Sequence, residues 1–241
     1  YRFDSVTIEG TQRIEPATVL SYAQIPRGQT IDAGELNAAY QRILASGLFE
    51  TAEMIPQGNR LTIRVVELAS DDAWMRDVGP TCVLDRRGEV RGVDWRFNAW
   101  GGFNGGLYAP WDRDEQVAGK VLEVERFARY RAPMVCEGGA IHSDGAGTLL
   151  VTEQCLLNPN RNPRLGRKRI ESLLLAYTGA RKIVWLGDGV FGDETDGHVD
   201  NLACFAAPGV VLLAGCDDPR DPQYRISADA YARLMDERDA R

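Results

Sequence analysis

Hydrophobic and polar positions in the first 67 residues follow the short periods of small strands and helices. Residues 3–8 alternate in polarity and are rich in β-branched side chains, which predicts a strand. Residues 15–22 predict a short helix with proline near its first position. A second helix is capped by Thr30 or Asp32, runs through residue 45 and is ended by Gly47. Its predicted buried face consists of Leu36, Ala39, Tyr40, Ile43 and Leu44.

A hairpin follows this pair of helices. Residues 49–55 and 60–66 have the composition of strands, and the intervening residues 56–59, PQGN, are typical of a turn. The first 67 residues therefore predict a small domain of order β-α-α-β-β. Its core is expected to contain Ile8, Val19, Leu36, Ile43, Phe49, Ile63 and Val65.

The pattern changes abruptly after residue 67, where short apolar segments are separated by polar, glycine-rich loops. The predicted strands are residues 81–84, 147–152, 182–186 and 210–214. The predicted helices are residues 114–129, 167–178 and 228–239. This alternation predicts an α/β fold in which polar loops at strand ends surround a functional site.

Charge and cysteine spacing restrict the classes of function. The net charge of −7 argues against a nucleic-acid-binding surface, and no apolar run approaches the ~18 residues of a membrane-spanning helix. The five cysteines contain no Cys-x-x-Cys pair and are expected to be reduced thiols. Cys136 and Cys204 adjoin polar motifs, but their apolar neighbours predict buried, inert thiols.

Four motifs concentrate the residues that are able to do chemistry. They are DDAWMRDVGP at 71–80, FNAWGG at 97–102, EGGAIHSDG at 137–145 and DETDGHVDN at 193–201. Carboxylates are abundant, whereas only two histidines are present and no metal-ligand spacing occurs, so neither a metal nor a cofactor is expected. Carboxylates without a metal favour an organic cation, and a guanidinium pairs with them through a planar fork of N–H donors. Trp74 and Trp100 are candidates to stack on that cation.

Structural roles for these residues remain open alternatives. Asp77 can form a loop ion pair with Arg76, Glu137 can be an acid at the end of a strand, and His198 can be a hydrogen-bonded structural histidine. The two tryptophans can equally serve packing. His142 is expected to be structural.

Together with NPNRNP at 158–163, WLG at 185–187 and DDPRDPQY at 217–224, the four motifs resemble agmatine deiminases over about residues 68–241. That family consists of guanidine-modifying enzymes with a five-bladed α/β propeller of the pentein type. The resemblance implies a partial propeller here, without its N-terminal and C-terminal blades. It also implies a cytoplasmic location and a small guanidine substrate such as agmatine, hydrolysed to N-carbamoylputrescine and ammonia.

The same resemblance implies roles for individual residues. Asp77 and Glu137 would hold the guanidinium, Asp200 would clamp it from the other side, and His198 would be the general acid and base. The substrate-binding set would also contain Trp74, Trp100 and Asp196. The family's nucleophile is a cysteine in a Gly-Gly-Gly-Asn-Ile-His-Cys stretch that these 241 residues do not contain, so we expect no ammonia release from them.

Residues 1–67 resemble a different family, the POTRA domains of outer-membrane β-barrel assembly factors. The resemblance rests on VTIEG at 6–10, Arg13 and Ile14, Gly28, LASGLF at 44–49 and VVE at 65–67. It implies a periplasmic location and a protein partner bound by adding a strand at a sheet edge. The abrupt join at residue 67 predicts a chimeric chain, so a POTRA-type binding module and a non-functional chimera are the alternatives to a deiminase.

Overall fold

The computed structural model describes residues 1–11, 14–46, 48–49, 51–67 and 70–240. The chain divides into two compact units, Tyr1–Ala69 and Ser70–Arg241. The boundary lies close to residue 67, where the sequence pattern changes.

The first unit has the predicted order β-α-α-β-β. Its elements are β1 (Ser5–Glu9), α1 (Pro16–Ala23), α2 (Ala33–Ala45), β2 (Thr51–Gln57) and β3 (Arg60–Val66). Strand β3 is central, because it pairs parallel with β1 and antiparallel with β2. The hairpin turn is tighter than predicted. Gln57 pairs with Arg60, so the turn consists of only Gly58 and Asn59. The positive φ of Gly58, 61°, allows this two-residue turn.

Helix α2 begins where the sequence predicts. The Asp32 carboxylate accepts the Glu35 N–H at 2.8 Å, and the Glu35 carboxylate accepts the Asp32 N–H at 2.9 Å, which forms a capping box. The predicted stop at Gly47 lies outside the described residues. The predicted core is confirmed, since Val19, Leu36, Ile43, Phe49, Ile63 and Val65 are buried together and Ile8 packs against them.

The second unit alternates short strands with helices. Its strands are β4 (Thr81–Leu84), β5 (Val90–Arg96), β6 (Ala128–Val135), β7 (His142–Ser143), β8 (Thr148–Thr152), β9 (Lys182–Leu186), β10 (Ala203–Ala207) and β11 (Val210–Leu213). Its helices are α3 (Met75–Val78), α4 (Asp114–Glu125), α5 (Glu153–Leu156), α6 (Arg167–Thr178), α7 (Val199–Leu202) and α8 (Pro222–Asp236). Among the described residues, no helix is both long and apolar enough to cross a membrane.

These elements repeat one arrangement. In the sheet β4-β5-β6, an antiparallel pair is followed by a helix, α4, and then by β6, which pairs parallel with β5. The sheet β7-β8-β9 repeats this order with α6 as the connecting helix. The antiparallel pair β10-β11, followed by α8, begins the order a third time. The second unit is thus built from small β-β-α-β layers.

Several boundaries differ from the sequence predictions. The helix predicted over residues 114–129 ends at Glu125, because Arg126 adopts a left-handed conformation at φ 57° and residue 128 already starts β6. The last helix starts at Pro222 instead of residue 228, capped by the Asp221 carboxylate. Strands β5, β6, β7 and β10 and the short helices α3, α5 and α7 were not predicted.

Candidate functional site

The candidate site is centred on Gly139, in the single helical turn that follows β6. A β-carbon added to Gly139 would lie 2.4 Å from His198 Nδ1 and 2.9 Å from both Asp200 Oδ2 and Asp77 Oδ1. Two segments distant along the chain, one with Asp77 and one with His198 and Asp200, therefore bring three polar atoms against Gly139. Only glycine leaves room for all of them.

Asp77 is held by two hydrogen bonds in a buried position. Its Oδ1 accepts the Gly139 N–H at 2.7 Å, and its Oδ2 accepts the indole N–H of Trp100 at 3.1 Å. Burial raises the pKa of the Asp77 carboxyl, although the nearby His198 and the Gly139 hydrogen bond act in the opposite direction. Burial thus makes ionisation of this carboxyl less favourable than in water.

Glu137 and Arg161 form a fully buried ion pair. Arg161 Nε donates to Glu137 Oε1 at 2.6 Å, and neither side chain is exposed to solvent. The other Arg161 nitrogens donate to the carbonyls of Trp100 and Thr195 and to Asp196 Oδ2. Burial alone would lower the pKa of Arg161, but the Glu137 charge outweighs it and the pKa is raised. Arg161 therefore fixes the orientation of Glu137.

His198 lies between the two buried carboxylates. Its Nδ1 is 3.9 Å from Asp77 Oδ2, and its Nε2 is 4.0 Å from Glu137 Oε2. Both distances exceed a hydrogen bond. Within the described parts of the chain, Glu137 Oε2 and His198 Nε2 are buried and have no hydrogen-bond partner. Such atoms are costly, so a ligand that pairs with both would relieve the site.

The loop that carries His198 is held by a local network. Asp193 Oδ2 accepts the N–H groups of Gly197 and His198 at 3.1 and 2.9 Å. Burial by itself would raise the pKa of Asp193, but the hydrogen bonds that it accepts outweigh burial and lower the pKa. This carboxylate therefore stays ionised. The imidazole is therefore positioned by the backbone of its own loop.

The remaining predicted site residues occupy different environments. Trp100 is only 1% exposed and its indole N–H holds Asp77, so this tryptophan serves both packing and the site. Trp74 is 61% exposed and lies just before α3. Asp196 is half-buried and already accepts from Asn160 Nδ2 at 2.7 Å and from Arg161. His142 accepts the Phe205 N–H at 3.3 Å and packs against that ring, which agrees with a structural role.

Two buried thiols adjoin the site. Cys136 and Cys155 are 1% and 0% exposed. Burial raises the pKa of both thiols well above the ordinary value, and the Glu137 carboxylate raises it further. The expectation that Cys136 is buried is confirmed. It was wrong for Cys204, which is partly exposed because β10 lies in a sheet of only two strands.

Sequence reasoning assigned no role to Arg161 or Cys155. Arg161 lies in the NPNRNP motif at 158–163, between two asparagines and next to a proline. No local signal marks Cys155. Both reach the site only because β8 and the loop after α5 lie beside the 193–200 loop, where Thr152 Oγ1 donates to the Gly197 carbonyl at 2.5 Å.

Comparison with known proteins identifies relatives over most of the chain. A family model described as Porphyromonas-type peptidyl-arginine deiminase matches residues 31–241. The agmatine deiminase of Pseudomonas fluorescens strain Pf-5 is 61% identical over 180 residues, which are 74% of this chain and 49% of that protein. The agmatine deiminase of Pseudomonas aeruginosa strain LESB58 is 56% identical over 199 residues, which are 82% of this chain and 53% of that protein.

Solved structures agree. The agmatine deiminase of Enterococcus faecalis superposes with a TM-score of 0.71 at 37% identity, covering 99% of this chain and 65% of that one. A substrate-bound agmatine deiminase of C. jejuni gives a TM-score of 0.64 at 29% identity, covering 74% of this chain and 51% of that one. The chain spans about half the length of the curated relatives it matches.

The comparisons give no support to a POTRA domain. The deiminase family model already begins at residue 31, inside the first unit, and the Enterococcus faecalis structure covers 99% of the chain. The protein partner, the periplasmic location and the chimera that were predicted with it are unsupported as well.

Proposed function

The chain belongs to the Porphyromonas-type peptidyl-arginine deiminase family, and from that premise we propose that its second unit binds the guanidinium group of agmatine or a similar small guanidine for hydrolysis. The observation that carries this proposal is the convergence of Asp77, His198 and Asp200 around Gly139. Glu137 completes the set from the other side of the imidazole, 4.0 Å from His198 Nε2.

A guanidinium fits the hydrogen-bonding capacity of this set. It presents five N–H donors in one plane and pairs bidentately with carboxylates. Glu137 Oε2 is buried without a partner among the described residues, and each Asp77 oxygen retains a lone pair beyond the one bond it accepts. A planar cation between them would satisfy these acceptors with charge-assisted hydrogen bonds.

Electrostatics favour a cation in the same place. Burial raises the pKa of Asp77, so its ionised form is less favourable in the protein than in water. Arg161 forms ion pairs with both Glu137 and Asp196, so its single positive charge is shared between two carboxylates. A bound guanidinium would offset the remaining negative charge, which is a feature expected of a binding site.

We assign the chemistry of the resembling family to these positions. His198 would protonate the departing ammonia and then activate water, while the carboxylates hold the guanidine carbon in line for attack by a cysteine thiolate. The raised pKa values of Cys136 and Cys155 keep both thiols protonated at neutral pH. Neither of these two thiols is therefore expected to supply the attacking thiolate.

The fold is consistent with blades of a pentein-type α/β propeller. The two complete β-β-α-β layers and the third that β10, β11 and α8 begin would each be one blade. The site lies in the loops that join successive layers. This agrees with a scaffold on which chemistry is carried by loops at strand ends.

Isothermal titration calorimetry with agmatine tests the binding proposal. Putrescine, which carries an amine in place of the guanidine, is the ligand control, and we expect it to bind at least tenfold more weakly. Asp200→Asn should lower agmatine affinity by tenfold or more, equivalent to about 1.4 kcal/mol. The matched control is Glu194→Gln, an exposed acid in the same loop, which should leave affinity unchanged.

Equal affinity for agmatine and putrescine would contradict recognition of the guanidine. An unaltered affinity in Asp200→Asn would remove that residue from the site. Ammonia should be measured in parallel, and steady release that His198→Ala abolishes would show that one of the five cysteines acts as a nucleophile.

A further inference from the structure

Glu137, Cys155 and His198 form a buried trio. The proposed hydrolysis uses Glu137 and His198 and gives no role to Cys155. One side-chain atom from each, a carboxylate oxygen, a sulfur and an imidazole nitrogen, lie within 4.8 Å of one another. The three residues are 0%, 0% and 2% exposed. Cys155 is held at the start of α5, where its N–H donates to Thr152 Oγ1 at 3.3 Å.

The donors point to a particular class of ligand. Thiolate, imidazole and carboxylate together suit Zn²⁺ and similar borderline divalent ions. Tetrahedral zinc with bonds of about 2.0–2.3 Å separates its ligands by about 3.3–3.7 Å. Glu137 Oε2 and His198 Nε2 are 4.0 Å apart, so this oxygen–nitrogen pair needs to approach by about 0.7 Å. Both atoms are buried and, within the described residues, unpartnered.

We propose that Glu137 Oε2, Cys155 Sγ and His198 Nε2 form a binding site for a zinc-like divalent cation, and that the bound ion excludes the guanidinium substrate. The thiol of Cys155 gives its proton to solvent as the metal–sulfur bond forms. The resulting thiolate and the Glu137 carboxylate together balance the two positive charges of the ion. Water takes the fourth ligand position.

Neighbouring residues already hold the ligands in suitable orientations. Arg161 occupies Glu137 Oε1 at 2.6 Å and leaves Oε2 for the ion. The charge of Arg161 is itself shared with Asp196 at 3.0 Å. On the imidazole, Nδ1 faces Asp77 Oδ2 at 3.9 Å and Nε2 faces Glu137 Oε2 at 4.0 Å, so Nε2 is the nitrogen that the proposed site uses. A carboxylate behind the ligating histidine is common at zinc sites.

The bound ion would exclude the guanidinium because both ligands need the same protein atoms. The guanidinium is proposed to use Glu137 Oε2 and the neighbourhood of His198 Nε2, and the ion needs the same two atoms. This second half of the inference rests on the proposed function, whereas metal binding itself does not. Zinc would then compete with the guanidinium for the same site.

Cobalt(II) is the probe, because a thiolate ligand gives it a charge-transfer absorption band in the near ultraviolet. The starting protein carries Cys82→Ser, Cys204→Ser and Cys216→Ser, which remove the thiols with exposed or partly exposed positions. We expect one equivalent of Co²⁺ with the thiolate band, displaced by Zn²⁺. Adding Cys155→Ser should abolish the band.

Cys136→Ser is the matched control. Cys136 is equally buried and adjoins Glu137, but it lies outside the trio, so the band should persist. Loss of the band in Cys136→Ser but not in Cys155→Ser would overturn the assignment, as would the absence of any thiolate band in the starting protein. Thermal unfolding checks that each variant is folded. If Cys155→Ser does not fold, His198→Gln decides, because it keeps the thiol and should weaken Co²⁺ binding at least tenfold.

Agmatine separates the two proposals. It should raise the apparent Kd for Co²⁺ in proportion to its own occupancy. Agmatine binding without a cobalt–thiolate band would refute the metal site and leave the proposed function standing. A band that Cys155→Ser removes, in a protein that binds no agmatine, would support the metal site and refute the guanidinium site. Simultaneous binding of both would refute exclusion.

Discussion

Replacing Gly139 by alanine is the smallest change that tests the geometry of the site. The new β-carbon would lie 2.4 Å from His198 Nδ1 and 2.9 Å from Asp77 Oδ1 and Asp200 Oδ2. Ordinary contacts begin at about 3.5 Å, so the overlaps are about 1.1 Å with the imidazole and about 0.6 Å with each carboxylate. One methyl group thus displaces three of the four proposed site residues.

The expected cost follows from these overlaps. Overpacking a buried position destabilises by about 1–3 kcal/mol, since side chains and backbone must shift. A displacement of about 1 Å at a positioned group is enough to lower function on the order of a hundredfold. We therefore expect Gly139→Ala to lower the unfolding free energy of the second unit by about 1–3 kcal/mol. Agmatine affinity should fall at least tenfold.

Two measurements separate loss of the site from loss of the fold. Urea unfolding gives the stability, and calorimetry at a temperature where the variant is folded gives the affinity. The chain contains only two histidines, His142 and His198, so imidazole NMR signals report each one. The His198 signals should shift in Gly139→Ala, whereas those of His142, whose ring packs against Phe205, should stay.

Gly215→Ala is the control for the loss of a glycine. No atom lies within 4 Å of a β-carbon at that position, so stability and affinity should remain near those of the parent. If Gly139→Ala leaves the His198 signals and the agmatine affinity unchanged, the convergence around Gly139 is wrong.

Three further results are expected. Arg161→Met should destabilise the second unit by about 3–5 kcal/mol in urea unfolding, because Glu137 is left as an unpaired buried charge; combining it with Glu137→Gln should recover part of the loss, and equal instability of the double variant would contradict the pairing. Agmatine affinity should fall as the pH drops below the raised pKa of Asp77, since the guanidinium favours the ionised carboxylate, and binding in that range should release protons. Calorimetry in two buffers of different ionisation heat measures the number of protons released on binding. Proton uptake would refute the role of Asp77. Asp32→Ala should cost about 0.5–2 kcal/mol and reduce hydrogen-exchange protection at the start of α2, where the carboxylate caps Glu35, without changing agmatine affinity.

Features that depend on residues close together in the sequence were predictable from the sequence. The start of α2 is set by a cap three residues away, the hairpin by the positive φ of Gly58, and α6 and β9 by runs bounded by turns. The core of the first unit followed from spacing alone, because a helix face and alternate strand positions point to one side. The polar motifs also identified most of the residues that surround Gly139.

The missed strands show where local pattern is insufficient. Strand β6 has the sequence ARYRAPMV, which is polar and contains proline. It forms at the edge of its sheet, where its outer side chains are exposed and a missing N–H is tolerated. Strand β5 carries Asp94 into a fully buried position, and this is possible only because Arg129 and Arg131 of β6 pair with it. Long-range pairing decided both strands.

The tertiary structure alone decided how the site is assembled. The sequence gives no reason for Arg161 to bind Glu137, for the Trp100 indole to hold Asp77, or for Cys155 to lie beside His198. These contacts join residues that are distant along the chain, and their partners depend on how successive β-β-α-β layers stack. Residue types therefore determined which chemistry is available, whereas packing determined which atoms of each side chain remain for a ligand.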